Sequence, residues 1–438
     1  MTAGASLPLQ YFGSLDALDP ATRTRLLDRT TSTDDAIRQT TAAILADVRA
    51  RGDVALREFA ARFDGVSLDR LDVPRSRWKA ALDVLDRGLR QAMERTAANV
   101  TAVHRAFLPS AAEVSPEPGV VVGRRPDPLD RVGVYAPGGR AAYPSSVLMG
   151  AVPARVAGVG EVIIASPPGS DGMPSPVVLA AAELANADRV FALGGAGAVA
   201  ALAFGTETVP RVDRIVGPGN AYVAEAKLQV SGTVSIDSPA GPSELLVIAD
   251  AGASVDTLAL EMLAQAEHDP RACVVAVVQG RALAEALRHA LARMLPNQGR
   301  REIVADALVG QGAILWVDAL RDAVEWSNSY APEHLLVCVA DPDALLPDLR
   351  HAGTIFLGER ASVSFGDYMT GANHVLPTGG LARAYSGLST LDFFRWTTFQ
   401  RVDERAAAAL ADDVDAFARA EGLPGHAAAA RAWARRPA

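Results

Sequence analysis

Four of the seven histidines in the chain, His268, His334, His374 and His426, fall in short polar stretches that also carry carboxylates or amides. In LAQAEHDP, Gln265 and His268 stand three residues apart at the end of a helix that Ser254 can open and Pro270 must close. Residues at that spacing share a helix face, so an amide oxygen and an imidazole nitrogen can meet one metal ion, or simply take part in surface hydrogen bonds. In YAPEHLLVCV the adjacent Glu333 and His334 lie between Pro332 and an apolar run. A histidine titrates near neutrality and is a ready general base, and a carboxylate beside it can activate water; a satisfied polar pair at the mouth of a strand is the plainer alternative. GDYMTGANHV, residues 366–375, gathers Asp367, Tyr368, Asn373 and His374 around Gly366 and Gly371. It is too polar for a strand core and too glycine-broken for a helix, so it reads as a loop of the kind that carries function. Near the end of the chain, Leu410, Val414 and Phe417 form one helix stripe that extends at i+4 to Glu421, and His426 follows. A carboxylate ending a buried face needs a cationic partner, unless it bends outward to solvent.

Two further turns are of the kind that lets a backbone approach a ligand. LGGAGAVAALAFG follows the strand-like RVFAL, and its Gly195-x-Gly197-x-x-Ala200 matches a dinucleotide turn superficially, with no ribose-binding acid at the usual distance on a strand end. VGPGNAYV sets Gly217, Pro218, Gly219 and Asn220 in a tight turn whose alternative reading is purely structural.

The elements that must position these residues alternate in texture along the chain. Ser32-Thr33-Asp34-Asp35 has the look of a helix-opening cap, and Ile37, Ile44, Leu45 and Val48 recur at helical spacing, so residues 30 to 110 are expected to be mainly helical. From about residue 130, VGVY, EVIIAS, RVFAL and DRIVG alternate with glycine-rich turns and alanine-rich stretches, the pattern of parallel α/β units. A second set follows: ELLVIAD, ACVVAVV, AILWV, LLVCVA and GTIFLG. After residue 385 strands are expected to stop and a helical segment to finish the chain.

Composition bounds the partners. At 438 residues with 49% hydrophobic content, the chain predicts a folded protein of more than one domain. A formal charge of −9 without a basic cluster argues against nucleic acid or an anionic membrane surface and for small-molecule chemistry. Cys273 and Cys338 each sit inside an apolar run that reads as a buried strand rather than as a disulfide framework or a thiolate metal site. MTAGASLPLQ lacks a basic start followed by an apolar run, and no window reaches the length of a membrane span, so a cytoplasmic location is expected.

The blocks VGVYAPGGRAAYPSS, VDRIVGPGNAYVAEAK, AGPSELLVIAD, AEHD, YAPEHL, GDYMTGANHVLPT and EGLPGH, in this order and spacing, resemble those of the histidinol dehydrogenase family along nearly the whole chain. The resemblance implies a zinc enzyme that oxidises L-histidinol through an aldehyde to L-histidine with two NAD⁺, in the last steps of histidine biosynthesis. It implies Gln265, His268, Asp367 and His426 as ligands of one zinc ion per subunit, with His374 shaping the same site. It makes His334 the general base and Glu333 its partner in activating water. Ser243, Glu421 and the zinc ligands would hold the substrate, and Tyr135 and Asn220 would touch NAD. The implied fold is two incomplete Rossmann-like α/β domains with small terminal segments, in a homodimer whose C-terminal tail crosses to the neighbour. On this chain that divides into an arm over 1–28, a first α/β domain over 29–134 with 244–385, a second NAD-binding domain over 135–243, and a tail over 386–438. Two departures stand out. Gly197 replaces the glutamine usual in the family's GGAQA block, which leaves one NAD contact open, and Ser362-Val363 replace a proline–glutamate pair before GDY. The competing readings are a paralogue that oxidises another polar alcohol, such as a sulfonated diol, and a zinc hydrolase or silent binding protein.

Overall fold

A computed structural model describes residues 7–29, 34–138, 142–239 and 241–434. Both sets of apolar runs form parallel sheets. The first set makes a five-stranded sheet in the order Arg189–Ala192, Glu161–Ser166, Arg131–Tyr135, Arg214–Val216, Ser235–Ile236. The second makes a six-stranded sheet in the order Tyr11–Ser14, Gly312–Val317, Cys273–Gln279, Glu244–Ala249, His334–Cys338, Thr354–Leu357. Central strands such as Glu244–Ala249 are buried at every position, which is why they read as continuous apolar runs rather than alternating ones. Leu245, Val247 and Ala249 pack into the core on one face, whereas Leu246 and Ile248 pack into the core on the other, following the two-residue period of the strand. Small residues let helices lie close over the five-stranded sheet. A Cβ on Gly150, in the helix Pro144–Ala157, would come within 2.5 Å of Val134.

The segment expected to be helical holds the helices Asp35–Arg51, Asp53–Phe59, Arg75–Asp83 and Arg87–Ala106. Asp34 is the N-cap of the first, accepting from the backbone N–H groups of Ala36 and Ile37, while Ser32 and Thr33 lie outside the described residues. Ser254 caps the helix Val255–Ala266, as its sequence suggests.

The chain divides into two compact units. Met1–Phe107 with Asp130–Phe393 carries both parallel sheets, and Leu108–Leu129 joins Phe394–Ala438 in the other. The strand Arg131–Tyr135 lies wholly within the five-stranded sheet, across the boundary expected at 134/135. The expectation that strands stop after residue 385 is not met. Phe394–Val402 is a nine-residue strand that pairs antiparallel with Val120–Pro128, which also pairs with Ala112–Val114. Its partner is remote in sequence, so the local pattern lacks a hairpin signal. In the same unit the helix Glu404–Ala420 does not bury the expected stripe: Val414 is 40% and Phe417 72% exposed. It buries Ala406, Ala411, Asp415 and Ala418 instead, and Asp415 takes charge-assisted hydrogen bonds from Arg419 at 2.9 Å and Arg431 at 2.8 Å.

Candidate active site

His334 opens a central strand of the six-stranded sheet, in register with Leu245 on one side and Thr354 on the other. Its ring is buried. Nδ1 lies 2.9 Å from the backbone oxygen of Glu244. A carbonyl only accepts, so Nδ1 carries the proton and Nε2 is the basic atom of the neutral ring. Nε2 is buried without a hydrogen-bond partner and lies 3.7 Å from Asp367 Oδ1.

Glu333, one residue earlier, is held by the same neighbour. Its Oε2 accepts from the Glu244 N–H at 2.7 Å, and its own N–H donates to Glu244 Oε2 at 3.3 Å. Glu244 is in turn gripped by Arg29, whose Nε and Nη2 donate to its two carboxylate oxygens at 2.9 and 3.2 Å. Arg29 also donates to the Tyr330 carbonyl at 2.7 Å and lies over the Tyr330 ring, while the Gly379 N–H donates to Glu244 Oε1 at 2.7 Å. Removing one member of such a buried, hydrogen-bonded ion pair typically costs about 3–5 kcal/mol.

Burial pushes the Glu333 carboxyl above the usual range, against the opposing pull of His334. For His334, burial favours the neutral ring, but the Glu333 and Asp367 carboxylates outweigh it and hold the imidazole above its ordinary value. Burial would raise Asp367 as well, and the His334 contact overcomes that and holds it below the carboxylate range. Partial loss of water around the rings lowers both His268, whose side chain still reaches solvent, and His374.

GDYMTGANHV is less irregular than its composition suggests, because Gly366–Tyr368 finish a short helix, Val363–Tyr368. The segment is pinned against two helices. Thr96 donates to the Tyr368 carbonyl at 2.7 Å, Asn99 to the Met369 carbonyl at 2.6 Å, and Asn373 to the Met149 carbonyl at 2.7 Å. The first two donors lie on the helix Arg87–Ala106, and Met149 lies on the helix Pro144–Ala157 that covers the five-stranded sheet. His374 Nδ1 bonds the Asp367 carbonyl at 2.9 Å and so steadies the segment that carries Asp367.

Gln265 and His268 lie at the end of the helix Val255–Ala266, as expected. Gln265 is buried and its Nε2 has no partner, while His268 is exposed in the next turn and within the electrostatic reach of Asp367 and His334. Among the described residues no three His, Cys, Asp or Glu side chains stand together as a preformed metal cage. The first unit contributes Gln265, His268 and Asp367; His426 lies in the second unit and is exposed, as is Glu421. Ser243 is half-buried beside Glu244, and its carbonyl accepts from the Cys273 N–H at 3.0 Å. Cys273 and Cys338 are free and buried.

At the five-stranded sheet, the site residues follow the carboxyl ends of strands. Tyr135 is buried, and its Oη accepts from the Gly195 N–H at 3.1 Å. Gly197 is buried inside the helix Gly195–Phe204, so the glycine fingerprint lies within a helix rather than a pyrophosphate loop. Asn220 caps the helix Ala221–Val230, accepting through Oδ1 from Tyr222 and Val223, which leaves its NH₂ for a ligand. Gly217 (φ 112°) turns where a Cβ would come within 2.1 Å of the Tyr135 carbonyl. Sequence reasoning passed over Arg29, Glu244, Thr96 and Asn99. The one available signal was an acid heading the apolar run ELLVIAD.

A parallel sheet in dinucleotide-binding order, and in the same unit a second sheet that sets a histidine between two carboxylates, define an α/β protein that combines a nucleotide-type sheet with a proton-transfer site. Residues 27–434 match the family described as histidinol dehydrogenase. The chain is 44% identical to the histidinol dehydrogenase of Methanosarcina barkeri over 97% of its own length and 98% of that protein's, and 45% identical to that of Bordetella parapertussis over 95% and 96%. The crystal structure of histidinol dehydrogenase from Elizabethkingia anophelis superposes with a TM-score of 0.92 at 31% identity, covering 97% of this chain and 98% of that one. This chain belongs to the histidinol dehydrogenase family.

Proposed function

We propose that this chain carries out the four-electron oxidation of L-histidinol through L-histidinal to L-histidine with two NAD⁺, the closing steps of histidine biosynthesis, with one zinc ion per subunit, in the cytoplasm. The observation that carries the residue assignment is the locked ring of His334. Its Nδ1 proton is committed to a main-chain carbonyl, and its Nε2 is buried and unpartnered beside Asp367.

In the first half-reaction Nε2 takes the proton from the alcohol oxygen while the carbon bearing that oxygen gives its hydride to NAD⁺, and the C=O bond forms. The aldehyde must then gain water before a second hydride can leave. Glu333, whose carboxyl is held high by burial, is the group beside His334 that can take a proton from that water. The hydrated aldehyde loses its second hydride to the second NAD⁺, and the carboxylate forms. Gln265, His268 and Asp367 would hold zinc together with a His426 contributed by a second copy of the chain. The carboxamide oxygen of buried Gln265 would serve there, as would one imidazole and one carboxylate within reach of each other's charge. Zinc would supply a template for the imidazole and amine nitrogens of the substrate. Ser243 and Glu421 complete the substrate site, Glu421 as the acceptor for the N–H groups of the substrate's amine. His374 holds the Asp367 segment, and Tyr135 and Asn220 face NAD. Gly197 offers no side chain, so the contact a glutamine would make there is absent.

The tail's crossing to a partner is supported by the uncovered Val414 and Phe417 on the helix Glu404–Ala420. Neither the site nor the relatives named above favour a paralogue acting on a sulfonated diol. The test is the NADH yield from limiting L-histidinol. Two NADH per substrate are expected, and a yield of one would reduce the protein to a simple alcohol dehydrogenase.

A further inference from the structure

Within the five-stranded sheet the strands lie in the order third, second, first, fourth, fifth, counted along the chain. That is the order of dinucleotide-binding sheets, where an acid for the adenosine ribose usually hangs from the end of the second strand. Here the second strand, Glu161–Ser166, runs into Pro167-Pro168-Gly169 and offers no acid. A carboxylate reaches that edge from a different part of the chain. The helix Asp53–Phe59 continues into a π-helical turn, Ala60–Asp64, which Gly65 ends in the left-handed conformation (φ 70°). Such turns re-aim the side chains that follow and are frequent at functional sites.

The turn delivers Asp64 to the end of the sheet. A Cβ built on Gly194 would stand 3.5 Å from Asp64 Oδ1 and 3.1 Å from the ring of Pro167, the residue occupying the usual place of the acid. Gly194 follows the third strand and immediately precedes the helix Gly195–Phe204, whose first N–H is bound by Tyr135. The space above Gly195 is open, with nothing within 4 Å of a Cβ there. The helix bearing Asp64 also packs on that coenzyme-side helix, with Leu56 and Phe59 each 3.5 Å from a Cβ placed on Gly197. Asp64 is half-buried, and among the described residues no hydrogen bond or ion pair engages its carboxylate; burial alone pushes its pKa up. A carboxylate that has lost part of its water and gained no protein donor is poised to accept from a ligand's hydroxyls.

We propose that Asp64 accepts the adenosine-ribose hydroxyls of NAD and thereby excludes NADP, whose 2′-phosphate would meet its negative charge. The inference rests on reading this edge as the coenzyme site. It is tested by calorimetric titration of the full-length protein with NAD and with NADP, without substrate, so that binding rather than turnover is measured. The wild type is expected to prefer NAD by about a hundredfold or more. Asp64→Asn should weaken NAD by about tenfold or more, the loss expected of charge-assisted hydrogen bonds, while NADP binding holds or improves. Asp64→Ser gives the same comparison should the amide disturb the turn. A discrimination ratio that stays at the wild-type value, whether both affinities hold or fall together, would overturn the proposal. If instead NAD binding by the wild type is untouched by Asn220→Ala and Tyr135→Phe, the coenzyme reading of this edge fails, a result distinct from an inert Asp64.

Discussion

A main-chain carbonyl decides where the proton sits on His334, and two carboxylates decide how tightly it is held. Glu333 Oε2 lies 3.5 Å from Nδ1 and Asp367 Oδ1 3.7 Å from Nε2. Both favour the imidazolium, so the raised pKa means that the base form is depleted as pH falls through and below that value. The logarithm of kcat/KM for histidinol should therefore climb with pH along a limb set above the ordinary histidine value. Glu333→Gln removes one of the two negative charges and should move that limb to lower pH. A limb that does not move would deny the coupling. His334→Ala should lower the rate of the first hydride transfer by about 10²–10⁴-fold, the usual worth of a general base. The adjacent acid and histidine were legible in the sequence because their types and spacing are themselves the signal. Arg29 and Glu244 were not, since they meet across 215 residues of chain and neither stands in a polar motif. Only the folded sheet makes Glu244 the hub that holds both catalytic candidates.

At the level of elements, the segment 366–375 is held in place by hydrogen bonds from two helices rather than by its own regularity. Gly371 (φ 88°) passes so close to the helix Arg87–Ala106 that a Cβ would sit 2.6 Å from the Asn99 carbonyl oxygen. Alanine there would combine an unfavourable backbone region with a clash against backbone. Gly371→Ala should cost about 2 kcal/mol or more in urea unfolding and displace Asp367 enough to depress activity. A variant with wild-type stability and rate would show that the loop tolerates movement. The strands legible from sequence are those buried on both faces, where an apolar run has no competing explanation. Tyr11–Ser14 and Ser235–Ile236 escaped notice because they are short edge strands, half-buried or exposed. Phe394–Val402 escaped because its partner, Val120–Pro128, is supplied from far upstream. The helix stripe at Leu410, Val414 and Phe417 was legible as a stripe, but periodicity alone does not say which face the chain itself will cover.

For the whole molecule, that uncovered stripe bears on how active sites are completed. With crossed tails, inactive His334→Ala mixed with inactive His426→Ala should regain about a quarter of wild-type activity after subunits exchange at equal amounts, because one site in each two-fold heterodimer escapes both lesions. A verified heterodimer that remains dead would mean that each tail serves its own subunit. The topology of the two parallel sheets has a further consequence, in the timing of synthesis. The five strands of the nucleotide-type sheet are encoded contiguously between Arg131 and Ile236, so that sheet can close while the rest is still being made. The six-stranded sheet cannot. Among the described residues Tyr11–Ser14 pairs only with Gly312–Val317, about 300 residues later, and at roughly 5–20 residues per second the first strand emerges on the order of 15–60 s before its partner exists. An edge strand kept waiting that long offers unpaired backbone groups to any other strand nearby, so the beginning of the chain is where a chaperone holding the nascent protein would be most needed.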